Sequence, residues 1–429
     1  MNNKLKEILA RRSEDKNIGI TSYCTANDLV IMALLKRAKE TGDPVLIEAT
    51  ANQVNQNGGY TGMKPADFVE FVYELADKVA CPRDLIFLGG DHLGPLTWVH
   101  LSEAEAMANA KVLVYDYVKA GFTKIHLDTS MKVASDDKNT MLKTEVVAER
   151  GAILYAECMK AFAEIDDGTK VKPVFIIGSE VPIPGGATEV EEGIEVTKVA
   201  DFQDTIKVYK EVFTKHGFEN SFDDIVGVVV QPGVEFGDTQ VFLYEREPAK
   251  DLSQSIDAFE GLVFEGHSTD YQTKECLKNM VIDNFAILKV GPALTYRFRE
   301  ALFMMSYMEE ALISAADRAN FPAVLEEVMM AKPSNWERHY HGTNHQLALA
   351  RKYSYSDRAR YYFADEKVRK AIYKLLDNMV AIEIPMNILH QFMPMQYEKV
   401  IRGNLENNAY ELVFDAILEI AGDYEYAIK

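Results

Sequence analysis

The sequence predicts a (β/α)8 barrel, the TIM barrel, with a C-terminal helical extension. Three observations support this fold class. Eight short apolar runs recur along the first two thirds of the chain, and amphipathic helical patterns separate them. The runs lack polar alternation, which is typical of parallel strands buried on both faces. The fingerprint of a doubly wound open sheet, GxGxxG after the first strand, is missing, so the closed barrel is favoured.

The eight runs are the expected strands, in chain order. They are IGITSYCT from Ile18, VLIEAT from Val45, LIFLGGDH from Leu85, KIHLDTS from Lys124, VFIIGSE from Val174, VGVVVQPG from Val226, LVFEGHS from Leu262 and FAILKVGP from Phe285. Helices are expected over Pro65–Val79, Glu103–Ala120 and Thr144–Phe162. From Arg299 onward the pattern is mostly helical. We therefore expect residues 1–294 to form the barrel and residues 295–429 to form a helical extension packed on it.

Composition excludes several classes of partner. The net charge of −20 disfavours nucleic acid and anionic membranes. The four cysteines are far apart without CxxC spacing, which is typical of reduced thiols in a cytoplasmic protein. No apolar run approaches the ~20 residues that a membrane span needs. We expect a soluble, cytoplasmic homo-oligomer.

Polar residues crowd the ends of the predicted strands, where the active site of a TIM barrel lies. In order they are Glu48 with Asn52 and Gln53, Asp91-His92, Asp128 with Ser130, Glu180, Gln231 with Glu235, His267-Ser268-Thr269-Asp270, and Lys289 with Gly291. So many polar groups would destabilise a buried barrel mouth unless they bind something. We expect the ligand to be a small polar molecule such as a sugar phosphate.

Each residue alone also has a plainer interpretation. His126, between Ile125 and Leu127, is best interpreted as a hydrogen-bonded core histidine. Asp128 could cap the following turn, and Glu48 could pair with a neighbouring lysine. Lys289 is equally consistent with a core lysine and with a lysine that forms a Schiff base.

His92 and His267 are the strongest candidates for metal ligands. Imidazole suits Zn²⁺, and a catalytic zinc keeps about three protein ligands and one open position. The third ligand would come from Glu180, Gln231 or Glu235. Alternatively, the two histidines hydrogen-bond the substrate without a metal. Phosphate is commonly held after strands seven and eight of such barrels, which here means Ser268, Thr269 and the loop around Gly291.

Long segments of the chain together resemble the GatZ/KbaZ family. They include IEATANQVNQNGGYTGM from Ile47, LGGDHLGP from Leu88, EGHSTDYQT from Glu265 and YSYSDRARYY from Tyr353. Members are described as the second subunit of class II D-tagatose-1,6-bisphosphate aldolase, or as enzymes that interconvert fructose and tagatose, or their 6-phosphates, at C4. The resemblance implies tagatose-type sugar phosphates, and it makes Arg358 a candidate cation for the phosphate.

The barrel is also distantly similar to the catalytic subunit of class II aldolases. In that subunit an Asp-His pair ends strand three, with the histidine on zinc and the aspartate moving protons, and Asp91-His92 matches it. His267-Ser268-Thr269 matches the ligand histidine and phosphate loop of strand seven. The third ligand histidine is expected after strand six, where Gln231 and Glu235 stand instead.

Two functions follow from these observations. The first is a metal-dependent 4-epimerase that acts on a ketohexose or its phosphate. Its expected parts are the ligands His92 and His267 with Glu180 or Glu235, a divalent ion (Zn, with Mn, Co and Ni as alternatives), and the proton carriers Asp91 or Asp128. The second is a non-catalytic subunit that supports a class II aldolase partner. The polar strand ends favour an enzyme, and the missing GxxxxGK[ST] loop disfavours a kinase.

Overall fold

The computed structural model describes residues 2–166, 168, 170–179, 181 and 194–429. Eight parallel strands form a closed barrel in which each strand pairs with the next along the chain and the last pairs with the first. The strands are β1 (Ile20–Cys24), β2 (Val45–Thr50), β3 (Ile86–Leu93), β4 (Lys124–Leu127), β5 (Val174–Ile177), β6 (Ile225–Val230), β7 (Val263–Gly266) and β8 (Phe285–Val290). The predicted TIM barrel is confirmed.

Helices surround the barrel and continue into the extension. Within the described residues they are Lys4–Ala10, Asp28–Thr41, Pro65–Val79, Glu103–Ala120, Thr144–Ala163, Val199–Lys215, Arg246–Ser255, Lys274–Ile282, Pro292–Leu312, Phe321–Ala331, Asn344–Tyr353, Glu366–Val380, Met386–Phe392, Pro394–Ile401 and Ala409–Ala427. A short hairpin, Glu235–Phe236 with Val241–Phe242, follows β6. In the described parts of the chain, no helix has the length and apolar character needed to cross a membrane.

Local sequence signals set the helix bounds. Before the helix Glu103–Ala120, the Ser102 side chain accepts from the Glu105 backbone N–H and the Glu105 carboxylate accepts from the Ser102 backbone N–H. This capping box satisfies two backbone donors that the first turn leaves free. The helix ends at Gly121, whose φ of 101° is a left-handed conformation that glycine adopts without strain.

The extension is packed into the wall of the barrel. The helix Pro292–Leu312 begins directly after β8, so the predicted boundary at residue 294 falls inside a continuous helix. The last helix, Ala409–Ala427, packs between the barrel helices Asp28–Thr41 and Lys274–Ile282. Its Tyr424 hydroxyl donates to the Thr269 carbonyl oxygen at 2.8 Å, close to the carboxyl end of β7. The extension therefore reaches the end of the barrel where the polar strand ends converge.

The barrel interior has an apolar lower half and a polar upper half. At the amino ends of the strands, Leu5 and Leu9 of the first helix pack onto inward-facing side chains that include Leu46, Phe87 and Ile287. The polar strand-end residues lie above this layer. The first helix thus covers the lower end of the barrel, opposite the carboxyl ends of the strands.

Candidate active site

Three histidines meet at the carboxyl ends of the strands. His92 lies in β3, His126 in β4, and His267 directly follows β7. Their ring centres are 5.1 Å apart for His92 and His126, 5.0 Å for His92 and His267, and 5.1 Å for His126 and His267. All three side chains are buried. They form a nearly equilateral triangle across the barrel, which we call the histidine triangle.

Strand alternation explains why these side chains converge. Successive residues of a strand point to opposite faces. In β4, Ile125 and Leu127 join the large core that contains the outer helices, whereas Lys124 and His126 contact groups inside the barrel. In β7 and just beyond it, Glu265 and His267 contact each other inside the barrel.

A buried carboxylate orients each histidine of the triangle. The contacts are His92 Nδ1 to Asp128 Oδ2 at 2.8 Å, His126 Nδ1 to Asp91 Oδ1 at 2.9 Å, and His267 Nε2 to Glu265 Oε1 at 2.9 Å. Each contact uses one ring nitrogen and leaves the other for a different partner. The Nε2 atom of His126 is fully buried and has no hydrogen-bond partner among the described residues. Such an atom is destabilising unless something binds it.

The charge state of the triangle differs from ring to ring. Burial lowers the pKa of His267 to about 4, so this ring is neutral at neutral pH, the state in which imidazole binds a metal. Burial also opposes a charge on His92, but Asp91 and Asp128 outweigh it and raise its pKa. His92 therefore attracts positive charge more strongly than His267 does.

Two buried lysines link the carboxylates beneath the triangle. Lys124 Nζ lies 2.6 Å from both Glu48 Oε1 and Glu265 Oε2. Lys289 Nζ contacts Glu48 and lies 2.9 Å from Asp91 Oδ1. Burial opposes a charge on Lys289, but Asp91 leads the groups that raise its pKa well above the ordinary value. A Schiff base needs a neutral amine, so this geometry favours the core-lysine interpretation.

Glycine in β3 makes room for this network. Glu48 lies opposite Gly89 in the register of β2 and β3. A Cβ atom at Gly89 would lie 2.4 Å from Glu48 Oε1, which is shorter than any allowed contact. Residue 89 therefore has to be glycine if Glu48 is to keep its place between the lysines.

The floor of the site groups residues that could hold a divalent cation. Asp91, His126, Glu265 and His267 offer ligand atoms that lie within 4.8 Å of one another. His92 is outside this group, but the ring centres of the triangle are 5.0–5.1 Å apart, close to the roughly 5 Å expected for three imidazoles that share one metal ion at ~2.1 Å per bond. Carboxylates that orient ligand histidines are the usual second layer of a metal site. Four buried carboxylates (Glu48, Asp91, Asp128, Glu265) face two buried ammonium groups (Lys124, Lys289), so negative charge is in excess when the rings are neutral.

Comparison with known proteins agrees with the sequence resemblance. A family model described as D-tagatose-1,6-bisphosphate aldolase subunit GatZ/KbaZ-like matches residues 5–429. The chain belongs to this GatZ/KbaZ-like family. The resemblance found in the sequence is thus confirmed, and it relates the chain to sugar phosphate aldolases.

One of three similar solved structures supports the relationship. A probable tagatose 6 phosphate kinase from Sinorhizobium meliloti 1021 is 43% identical, with a TM-score of 0.87 over 96% of this chain and 100% of that chain. The YdjI aldolase from Escherichia coli K12 is 12% identical, with a TM-score of 0.43 over 87% of this chain and 96% of that chain. A fructose-bisphosphate aldolase from Campylobacter jejuni is 14% identical, with a TM-score of 0.41 over 87% and 91%. The last two likenesses are too weak to carry an argument.

A cavity opens above the triangle, between the strand ends and the extension. Most of the site residues expected from the sequence line it. They are Asn52, Gln53, Asp91, His92, His267, Ser268, Asp270, Lys289 and Gly291. Cys24, Tyr60 and Arg360 line the same cavity and were not expected from the sequence. This member of the GatZ/KbaZ-like family therefore has a polar cavity at the catalytic end of its barrel.

Four expected site residues lie behind the cavity wall. Glu48 and Asp128 are fully buried beneath the lining. Ser130 donates from its backbone N–H and its hydroxyl to Asp128 Oδ1, at 3.1 and 2.7 Å. The Thr269 hydroxyl donates to the Lys289 carbonyl oxygen at 2.6 Å. These residues hold the lining residues in position.

Three other expected residues are described and are not part of the triangle. Gln231 Oε1 accepts from the Gly233 and Val234 backbone N–H groups and shapes the loop after β6. Glu235 lies in the hairpin, where it accepts from the Phe236 N–H at 3.0 Å. Arg358 is buried away from the cavity, with its guanidinium 3.4 Å from the Asn335 carbonyl oxygen. Glu180 lies outside the described residues.

The amino end of the helix after β8 already has a carboxylate partner. Asp270 Oδ1 accepts from the Gly291 N–H at 3.0 Å and from the Ala293 N–H at 2.8 Å. Burial raises the pKa of Asp270 to about 6. The sequence predicts that the loop around Gly291 binds a phosphate. In the structure these two N–H groups donate to the Asp270 carboxylate instead.

Backbone strain is present at two strand ends of the site. His92 has a φ of 48° and Ser268 has a φ of 53°, both in the left-handed region. A non-glycine residue held there costs on the order of 1–3 kcal/mol, and such residues cluster at functional sites. Both residues line the cavity.

Proposed function

We propose that this chain is a metal-dependent enzyme that inverts C4 of a ketohexose phosphate, interconverting fructose 6-phosphate and tagatose 6-phosphate. The observation that carries the proposal is the histidine triangle, with an orienting carboxylate on each ring, at the floor of a polar cavity. The family's relationship to D-tagatose-1,6-bisphosphate aldolase supports the substrate class. A retro-aldol cleavage followed by re-addition would achieve the inversion with the chemistry of an aldolase.

The proposed ligands are His92 Nε2, His126 Nε2 and His267 Nδ1, the ring nitrogens not used by the orienting carboxylates. His126 thus takes the place of the third ligand expected after β6. Zn²⁺ suits three imidazoles, and Mn²⁺, Co²⁺ and Ni²⁺ are the alternatives. The bound ion would supply the Lewis acidity that stabilises negative charge on the C2 and C3 oxygens of the substrate.

Asp91 is the proposed proton carrier. It lines the cavity, and its Oδ2 lies 3.7 Å from His92 Nε2. Burial works against its ionisation, but His92 and Lys289 lead the charges that keep its pKa well below the ordinary value. The carboxylate is therefore ionised at neutral pH and can accept the proton of the C4 hydroxyl group.

In the proposed reaction, the Asp91 carboxylate both removes and returns the proton. As Asp91 takes the C4 hydroxyl proton, C4 becomes an aldehyde and the C3–C4 bond breaks, with its electron pair moving into a three-carbon enediolate. The aldehyde of glyceraldehyde 3-phosphate then rotates about its bond to the rest of the molecule. Re-addition of C3 to the opposite face of the aldehyde forms the bond again, and Asp91 returns the proton to the new C4 oxygen. Lys289 adds a fixed positive charge to the same wall.

The test is activity of the purified chain alone. After chelation and re-addition of Zn²⁺, Mn²⁺, Co²⁺ or Ni²⁺, fructose 6-phosphate in D₂O should give tagatose 6-phosphate that keeps hydrogen on C4, as followed by ¹³C NMR. Asp91→Asn should lower turnover by roughly 10²–10⁴. Asp257→Asn, on the exposed side chain that pairs with Lys16, is the matched control. Deuterium at C4, or full activity without metal, would contradict the mechanism.

The second candidate function is support of a class II aldolase catalytic subunit. It is favoured by the family description, which names a subunit of D-tagatose-1,6-bisphosphate aldolase. Under this function the isolated chain is inert with fructose 6-phosphate and with free fructose. Asp91→Asn would then leave its stimulation of an aldolase partner unchanged, whereas an enzyme would lose its own turnover.

A further inference from the structure

The extension contributes one cation to the cavity. Arg360 belongs to the short helical turn Arg358–Tyr362 and is a lining residue of the cavity above the histidine triangle. It also lines the neighbouring cleft between the β1 end and the extension. Tyr361 and Tyr60 pack beside it, with their ring centres 4.8 Å apart, and Arg360 lies 4.5 Å from the Tyr361 ring centre. The guanidinium is thus held at the rim by packing across both parts of the chain.

Arg360 has no acidic partner in the described part of the chain. Its guanidinium donates to the carbonyl oxygens of Ser356 and Asp357 and to the Tyr361 hydroxyl. The carboxylate of Asp357, whose backbone carbonyl is one of these acceptors, pairs with Arg299 at 2.9 Å. A partly buried arginine that contacts only neutral acceptors retains its full positive charge, and it favours an anion beside it.

The other basic groups among the described lining residues already have partners. Lys289 is bound by Glu48 and Asp91. His92 is hydrogen-bonded to Asp128, and His267 to Glu265. The Gly291 and Ala293 amides, at the amino end of the helix after β8, donate to Asp270. Among the described lining residues, Arg360 is therefore the basic side chain that is not paired with a carboxylate, and it lies on the side of the extension.

We propose that Arg360 is the specificity residue that binds the phosphate group of the substrate, which places this group at the extension rim and not at the helix after β8. The proposal rests on the proposed function for the identity of the substrate. The guanidinium offers paired N–H donors that match two phosphate oxygens. The reacting carbons would then lie between Arg360 at the rim and the histidine triangle at the floor.

Binding of inorganic phosphate to the metal-loaded protein, measured by calorimetry, tests this without turnover. Arg360→Gln should weaken phosphate binding about 10- to 100-fold, as expected for loss of a charge-assisted contact. Arg402→Gln removes the same charge from an exposed arginine that pairs with Glu398, and it should bind phosphate like the wild type. Equal affinity of the wild type and Arg360→Gln would overturn the proposal.

A second variant and a kinetic readout complete the test. Arg360→Lys keeps the charge but loses the paired donors, so it should bind phosphate several-fold more weakly than the wild type and remain testable if Arg360→Gln fails to fold. Wild-type affinity in Arg360→Lys would count against paired recognition. In an active protein, the ratio of kcat/KM for fructose 6-phosphate to that for fructose should fall at least 10-fold in Arg360→Gln. If Arg360→Gln binds phosphate like the wild type and the wild type epimerises the sugar, only the role of Arg360 is refuted. If phosphate binding depends on Arg360 but the wild type does not epimerise the sugar, only the proposed function is refuted.

Discussion

Lys124 is the cation on which the buried charge network most depends, and Lys124→Met removes it while keeping an unbranched side chain. Its ammonium group lies 2.6 Å from a carboxylate oxygen of Glu48 and 2.6 Å from one of Glu265. All three side chains are fully buried. Glu48 would retain its contact with Lys289, and within the described residues Glu265 would retain its contact with His267.

The magnitude follows from this geometry. Leaving one partner of a buried ion pair uncompensated costs about 3–5 kcal/mol, a large share of a total stability of about 5–15 kcal/mol. Burial works against ionisation of Glu265, and Lys124 leads the charges that keep its pKa well below the ordinary value. Without Lys124, Lys289 and His267 remain as the lowering charges, and we expect burial to outweigh them and raise this pKa above that of the unfolded chain. The variant's stability should therefore fall as the pH rises through the new pKa.

Urea unfolding at pH 5 and pH 8 measures the effect. We expect Lys124→Met to lose about 3–5 kcal/mol at pH 8 and less at pH 5, because Glu265 takes up a proton. Replacing Glu265 by methionine as well should recover much of the loss. Glu366→Gln breaks an exposed pair with Lys370 and should leave the urea midpoint unchanged. A Lys124→Met protein as stable as the wild type at pH 8 would refute the reasoning.

Three further predictions concern Leu5 at the lower end of the barrel, Asp270 at the helix after β8, and Lys289. Leu5→Ala, in the helix that covers the lower end, should cost about 2–5 kcal/mol in urea unfolding, and an unchanged midpoint would show that this packing contributes nothing. The pKa of Asp270 is raised to about 6, so its stabilising contribution is present below pH 4 and is lost as the pH rises to 6. Asp270→Asn should therefore gain about 3 kcal/mol relative to the wild type between these pH values, and parallel pH profiles would contradict the burial argument. Borohydride added during turnover should leave Lys289 unmodified by mass spectrometry, since its amine is charged; a reduced sugar adduct would revive the Schiff-base interpretation.

The fold was predictable because strands buried on both faces have a strong apolar signal. The predicted helices Pro65–Val79 and Glu103–Ala120 have the observed bounds, since caps and amphipathic spacing are local properties. Part of the cavity lining could be predicted because its polar residues lie at or just after strand ends, as His92 and His267 do. Both histidines line the cavity.

The remaining site residues could not be predicted because their roles depend on packing between distant segments. His126 was interpreted as a hydrogen-bonded core histidine, and it is buried and contacts Asp91, but its place in the triangle depends on the pairing of β3 with β4. A usable signal was the alternation of Lys124 with His126 and of Glu265 with His267, which places each pair on one strand face. Arg360 carries no such signal, because only the packing of the extension brings it to the cavity.

The central claim is that the histidine triangle binds a divalent metal. The most direct test is anomalous diffraction at the zinc edge from crystals of the zinc-loaded protein. We expect one strong peak within ~2.0–2.3 Å of His92 Nε2, His126 Nε2 and His267 Nδ1. A peak bound instead by Cys24, Glu48 and Asp91, or by Asp91, His126, Glu265 and His267 without His92, would contradict the account, as would no peak at the triangle. These are the two close groups of possible metal ligands in the described residues.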